Sequence, residues 1–370
     1  MIHCPMIHCP MKIRLLFFAP ILFAACTNSN SVDVPVIEMP SEIETSAFEQ
    51  NIRSIDLIPL SADRYLGGQL DMEIHKGDYI IADRRAGAVC RFSPEGKYLN
   101  DIGNKGNGPA DFVDILNIQC LEEEIIVYSS PNKAVYYDYD GNHIRTEEGA
   151  LGAQNYRIGS DYLAYYGYQL EGSPRLALVK GDLKDEKYLV TKKRVMPLQK
   201  DAPVFSETKS GITVIDSYSD ILYLYSEGNL TPYLKFDFGR YAIDPSFYDS
   251  DDVFKGAMKL MSSDFAVISS YYEQGKIRIA EINLQTPKTM EKVYAYRNKG
   301  DWRWFSCGEM GKSAFAGAFV CLNGKYAYFL LDPSMAKDVD EGIRSKMGNP
   351  QVLDNLTADS NYVIAKVVFD

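Results

Sequence analysis

The sequence predicts an all-β fold, a six-bladed β-propeller of four-stranded antiparallel blades with short helical insertions, and three observations carry that prediction. First, 26 Tyr and 17 Phe stand among many Val and Ile, side chains that fit a pleated, half-buried surface. Second, a pattern of strand, strand, glycine turn and strand recurs after about 45 residues. Third, apolar strand-like runs lie near both ends, where a closed ring needs two strands to meet. At 370 residues and 46% hydrophobic, the chain is long enough to fill such a ring.

The opening residues read as an address. Met-Ile-His-Cys-Pro stands twice over residues 1–10, so Met11 reads as the start. Lys12 and Arg14 then precede the apolar run Leu15 to Ala25, the layout of a secretory signal. That run is shorter than the about 20 residues of a permanent membrane span. Phe23-Ala24-Ala25-Cys26 resembles the bacterial lipobox, with Phe for the usual Leu, which makes Cys26 the expected lipidation site and residues 1–26 the signal peptide. The polar run Thr27 to Ser31 opens a flexible tether expected over 27–47, and 48–370 forms the single propeller domain. Residues 1–26 carry Lys12 and Arg14 and no acid, so their removal moves the net charge from −11 to −13. Nucleic acid is excluded as a partner, because phosphate binding needs clustered Lys and Arg.

The repeat is sharpest between residues 78 and 145. Asp78-Tyr-Ile-Ile-Ala-Asp83 and Ala88-Val-Cys-Arg-Phe92 lead to the turn Ser93-Pro-Glu-Gly96. Ile125-Ile-Val-Tyr128 and Ala134-Val-Tyr-Tyr137 lead, in the same order, to Asp138-Tyr-Asp-Gly141. Gly at the end of each turn supplies the positive φ that a tight hairpin demands. Weaker copies follow at 162–179, 212–228, 265–280 and 318–330, which makes six units. A β-sandwich would not explain the register of Gly96 with Gly141. The strands Ile52 to Ile58 and Tyr362 to Phe369 are expected to pair and pin the ring. Helices are expected over Ser334 to Met347, stopped by Gly348-Asn349-Pro350, and over Pro245 to Met261, where Phe247, Phe254, Met258 and Met261 would pack on the core.

The segment Asp101-Ile-Gly-Asn-Lys-Gly-Asn-Gly-Pro-Ala-Asp-Phe112 resembles the inter-blade signature of NHL-type propellers. With the lipobox and the early strand Ile55 to Leu60, it is most similar to the six-bladed NHL/TolB-like propeller lipoproteins of Gram-negative gut bacteria. Here Gly103, Gly106 and Gly108 would let the backbone cross from one blade to the next, with Pro109 stiffening it. A phosphate-binding loop is excluded, since no Gly-Lys-Ser/Thr is present and no helix follows. The resemblance implies that the crossover loops and the loops between second and third strands open on one face, around the channel. On that face it puts Asp83, Arg84 and Arg85, then Lys105, then Asn132 and Lys133, then Asp216 and Tyr218. The arginines would grip an anionic group or stand as solvated loop charges. Propeller lactonases hold Ca²⁺ with channel carboxylates, so Asp83 and Asp216, expected to end inner strands, are the candidate ligands if a cation binds; otherwise no cofactor is implied.

Other chemistry finds little support. Cys90, Cys120, Cys307 and Cys321 form no Cys-x-x-Cys pair and read as buried thiols; His75 and His143 are too far apart for a His-rich metal site. Trp302 and Trp304 share one strand face and would serve blade packing or sugar stacking. The expectation is an exported protein, lipid-anchored to the outer membrane on its periplasmic side. It would act as a non-catalytic module that binds a small polar or glycan ligand or an envelope protein. The alternative is a metal-assisted hydrolase or lyase at the channel mouth.

Overall fold

The computed structural model describes residues 34–43, 47–149, 151–166, 174–181, 186–191, 203–247, 252–357 and 359–370. The expected signal segment, with Cys26, lies outside the described residues. Six antiparallel sheets follow one another along the chain: blades I (70–101), II (114–148), III (154–191), IV (205–237) and V (265–309), then VI. Within each, the first strand is innermost, and the innermost strand of blade VI meets that of blade I, which closes the ring.

Blade VI is closed by both chain ends, as expected. Its outermost strand, Ile52–Pro59, pairs antiparallel with Val363–Phe369, which pairs in turn with Tyr326–Leu331. Phe48, just before that outer strand, lies among Phe305, Phe315 and Phe369 between blades V and VI, at centroid distances of 5.9, 5.2 and 6.2 Å. The early strand and the aromatic ahead of it therefore bolt the ring.

Middle strands are covered on both faces by neighbouring blades, which is why Ile125 to Tyr128 and Tyr326–Leu331 read as continuous apolar runs. Gly96 and Gly141 take φ of +82° and +87°, and a Cβ on either would strike a carbonyl of the preceding blade's outer strand, Pro59 for one and Asp101 for the other. The sequence register is thus one structural position, moved by one blade. Gly103 crosses at φ +66° against the Tyr137 ring, between the buried Ile102 and Phe112.

Three expectations need correction. Part of the tether is folded: Val36–Glu38 pairs in parallel with Asn229–Asp237 and makes blade IV five-stranded, because Ile37 and Met39 bury against Phe236 and Phe238. The helix expected over Ser334 to Met347 breaks into Pro333–Ala336 and Glu341–Arg344, with Gln351–Asp354 beyond. The backbone between them pairs with the blade VI edge instead: the Ile55 N–H donates to the Lys346 carbonyl at 2.9 Å, and the Asn349 amide clamps Leu57 from both sides at 2.9 and 2.8 Å. An exposed edge strand is thereby covered. The helix expected over Pro245 to Met261 is a 3-10 turn, Pro245–Phe247, and a helix, Val253–Met261. Phe247 and Leu260 bury, while Phe254, Met258 and Met261 face solvent at 65%, 58% and 50% exposure, because the two pieces do not continue one helical face.

Cys90, Cys307 and Cys321 are buried and Cys120 half-buried, none bonded to another. Burial pushes the Cys90 thiol up to about 12, so it behaves as an inert apolar side chain.

Candidate functional site

Propeller blades stack through apolar faces, and blade V departs from that rule at one end. Along Ile277–Gln285, residues 279, 281, 283 and 285 point to one face and residues 280, 282 and 284 to the other. Ala280, Ile282 and Leu284 pack with Ile215 and Leu222 of blade IV. On the opposite face Ile279 joins Phe319 and Phe329 of blade VI, but the stripe then continues as Glu281, Asn283 and Gln285. This polar stripe lines a cavity of about 450 Å³ that residues of blades I, IV and VI also border.

Local structure sets the polar wall. The pairing register slips between Ile268 and Ser270, so Ser269 is an extra residue and both hydroxyl-bearing side chains line the cavity. Lys292 sits opposite Asn283 in the ladder, and Tyr294 opposite Glu281. The Lys292 ammonium lies 3.0 Å from the Glu281 carboxylate, with both side chains buried. The Tyr294 hydroxyl donates to the other Glu281 oxygen at 2.9 Å, and burial holds that phenol well above its ordinary pKa, so it stays a donor. Across the cavity stand Ala318, Phe319, Val320 and Leu330 of blade VI. Met261, Met290 and Met310, all substantially exposed, line the cavity as well.

Asp71 and Arg84, joined by an ion pair, border the cavity on the blade I side, and the Arg84 Nε donates to the Leu116 carbonyl at 3.2 Å. A second cavity of about 280 Å³, lined by Glu73, Gln119, Tyr156 and Glu207, shares Asp71 and Pro203 with the first. Burial, with lesser contributions from the Asp71 and Glu207 carboxylates, pushes Glu73 up to about 7 against the Cys120 N–H, which donates to it at 2.6 Å.

Of the residues expected at the channel mouth, Arg84 and Tyr218 line the larger cavity. Asp83 is fully buried and accepts from the backbone N–H groups of Gly67 and Ala86. Arg85 is exposed, as is Lys105, which lies 3.8 Å from Asp114. Asn132, exposed at φ +52°, accepts from the Gly149 N–H at 3.1 Å, and Lys133 donates to the Gly108 carbonyl at 3.3 Å. Asp216 is buried 2.7 Å from Arg175, and the Tyr218 ring packs on Phe247 at 5.0 Å. Asp83 and Asp216 therefore close second strands rather than inner ones, and their carboxylates point at protein partners instead of converging. Among the described residues no group of three or more His, Cys, Asp or Glu could hold a metal ion. Trp302 and Trp304 pack on Phe236, at 6.5 and 6.4 Å, between blades IV and V. Glu281, Asn283, Gln285 and Lys292 escaped the sequence reading. Their signal was a strand that alternates Ala, Ile, Leu on one face with Ile, Glu, Asn, Gln on the other.

Fold and cavity together define a six-bladed β-propeller with a cavity lined by residues of blades I, IV, V and VI, polar along its blade V wall. The chain belongs to the family described as Domain of unknown function (DUF4934), whose model matches residues 31–368. It is similar in structure to an exported protein of Bacteroides fragilis, at 14% identity and a TM-score of 0.71, over 91% of this chain and 99% of that one. It is also similar to a DUF4221-family protein of Bacteroides vulgatus, at 11% identity and a TM-score of 0.54, over 86% and 97%. At such identities the likeness shows the fold. Curated proteins give no match. Among the described residues no helix is long and apolar enough to cross a membrane.

Proposed function

We propose that this protein is an exported, lipid-anchored binding module of the cell envelope, held through Cys26 on the periplasmic side of the outer membrane, that takes a small ligand into the cleft walled chiefly by blades V and VI. One observation carries the reading. Glu281, Asn283 and Lys292 stand on a blade face that is apolar lower down, beneath a cavity of about 450 Å³. Burying polar groups between blades is unfavourable unless they have partners, and an apolar stripe would pack the ring better. A cleft of this size, with one polar and one apolar wall, has the make-up of a ligand pocket. Export agrees with the leader at Met11 and with the exported Bacteroides fragilis protein of the same fold. Binding is favoured over metal-assisted hydrolysis because the carboxylates of Asp83 and Asp216 are engaged by backbone N–H groups and by Arg175.

The test has two arms. Ala318→Trp, which fills the cleft from its blade VI wall, should abolish ligand-induced thermal shifts seen with the wild-type chain; shifts that survive it place binding elsewhere. Cys26→Ser should release the protein from the membrane fraction, and an unchanged distribution would refute the anchor.

A further inference from the structure

We infer that the guest of this cleft is a neutral, polyhydroxylated molecule of mono- or disaccharide size; the inference rests on the binding reading above. Charge balance is the first reason. The Glu281 carboxylate and the Lys292 ammonium neutralise each other at 3.0 Å, and Asp71 and Arg84 do the same on the blade I side. The cavity therefore offers both signs of charge and no surplus of either. A charged guest would have to open one of these pairs to find a counter-ion, and half of a broken buried pair is a costly thing to leave behind. A hydroxyl leaves the pairs closed: it accepts from an ammonium with three donors and gives its own proton to a carboxylate or amide oxygen.

Unmet hydrogen bonds are the second reason. Among the described residues, the Ser270 hydroxyl and the Asn283 side-chain oxygen are buried and have no hydrogen-bond partner. Ser270 itself is 4% exposed. Ser270 lies opposite Glu281 in the ladder, and Asn283 follows two residues on along the same face. Neighbours of this kind stand about 5 to 8 Å apart, so a ring carrying several hydroxyls reaches all three, where a single functional group reaches one. A buried polar atom left unpaired is unfavourable, so this wall is complete only when something brings donors to it.

The facing wall supplies the third reason. Ala318, Phe319, Val320 and Leu330 present carbon to the cavity. A pyranose has a polar edge and an apolar C–H face, and satisfies both walls at once. An apolar dipeptide is the competing guest, with its ammonium on Glu281 and its carboxylate on Lys292, but it must pull that pair apart.

Calorimetric titration of the full-length protein decides between them, with maltose, xylobiose and N-acetylglucosamine as neutral probes, glucuronic acid as an anionic one and Leu-Phe as the zwitterion. The expected result is binding of a neutral sugar that Asn283→Leu weakens about tenfold or more and Ser270→Ala severalfold, while both variants keep the wild-type circular dichroism and melting temperature. Glucuronic acid or Leu-Phe binding in place of every neutral sugar, and lost in Ala318→Trp, would leave the cleft as the site and overturn the guest class. Sugar binding untouched by Ala318→Trp would overturn the cleft itself. Absence of heat with all three neutral sugars also refutes the inference.

Discussion

Arg175 and Asp216 meet at 2.7 Å across the seam between blades III and IV, one from a third strand and the other from the loop after a second strand. Both are buried, and the Tyr165 hydroxyl ties the same corner together by donating to the Ser217 hydroxyl at 2.8 Å and accepting from the Ser217 N–H at 3.0 Å. Removing one partner strands a buried charge. Asp216→Ala should therefore cost about 3–5 kcal/mol in urea unfolding. The double change Arg175→Met with Asp216→Leu should recover most of that loss. If Asp216→Ala instead leaves stability unchanged and abolishes Ca²⁺ binding, the residue is a metal ligand and the ion-pair assignment is wrong.

The turn glycines separate two sources of strain. Gly141→Ala forces a side chain into φ +87° and into the Asp101 carbonyl, whereas Gly228→Ala meets φ +82° with nothing within 4 Å. The first should lose about 2–4 kcal/mol and the second about 1 kcal/mol, since only the first adds a steric clash to the left-handed backbone. Gly96→Ala should match Gly141→Ala. Equal losses at Gly228 and Gly141 would show that the contact with the preceding blade is unimportant.

Glu73 gives the channel a pH dependence with a definite sign. Its folded value of about 7 lies above the ordinary 4.5, so the folded protein holds a proton that the unfolded chain releases between those values. The stabilisation is complete below about pH 4.5 and is lost as pH rises through 7, by on the order of 1–3 kcal/mol. Glu73→Gln should flatten this part of the stability profile and be more stable than wild type at pH 8. A wild-type profile that is flat from pH 5 to 8 would contradict the raised Glu73 pKa.

The helix Val253–Met261 provides a control on packing. Phe254 and Met258 are exposed, so Phe254→Ser and Met258→Ser should each change unfolding free energy by less than about 0.5 kcal/mol. Leu260→Ala, on the buried side, should cost about 2–4 kcal/mol. A large loss at Phe254 would restore the single apolar helix face that the sequence pattern suggests.

Much of the architecture was legible in the residues themselves. Gly96 and Gly141 announced the repeat because a tight hairpin beside a neighbouring strand tolerates no Cβ, whatever surrounds it. The pairing of Ile52–Pro59 with Val363–Phe369 followed from two apolar runs at the chain ends of a ring. The helix breaks were not legible, because the Lys346 carbonyl and the Asn349 amide are recruited by a sheet edge nearly three hundred residues away in sequence.

The same division runs through the site. By itself the sequence determined the strand periodicity, the blade turns and the acidic character of the chain, since each depends on composition or on neighbours along the backbone. Only the folded ring decided that Asp83 and Asp216 are spent on internal partners and that Glu281, Asn283 and Lys292 face an open cleft. Those outcomes depend on which blade stands opposite, a distance in space that spacing along a chain does not encode.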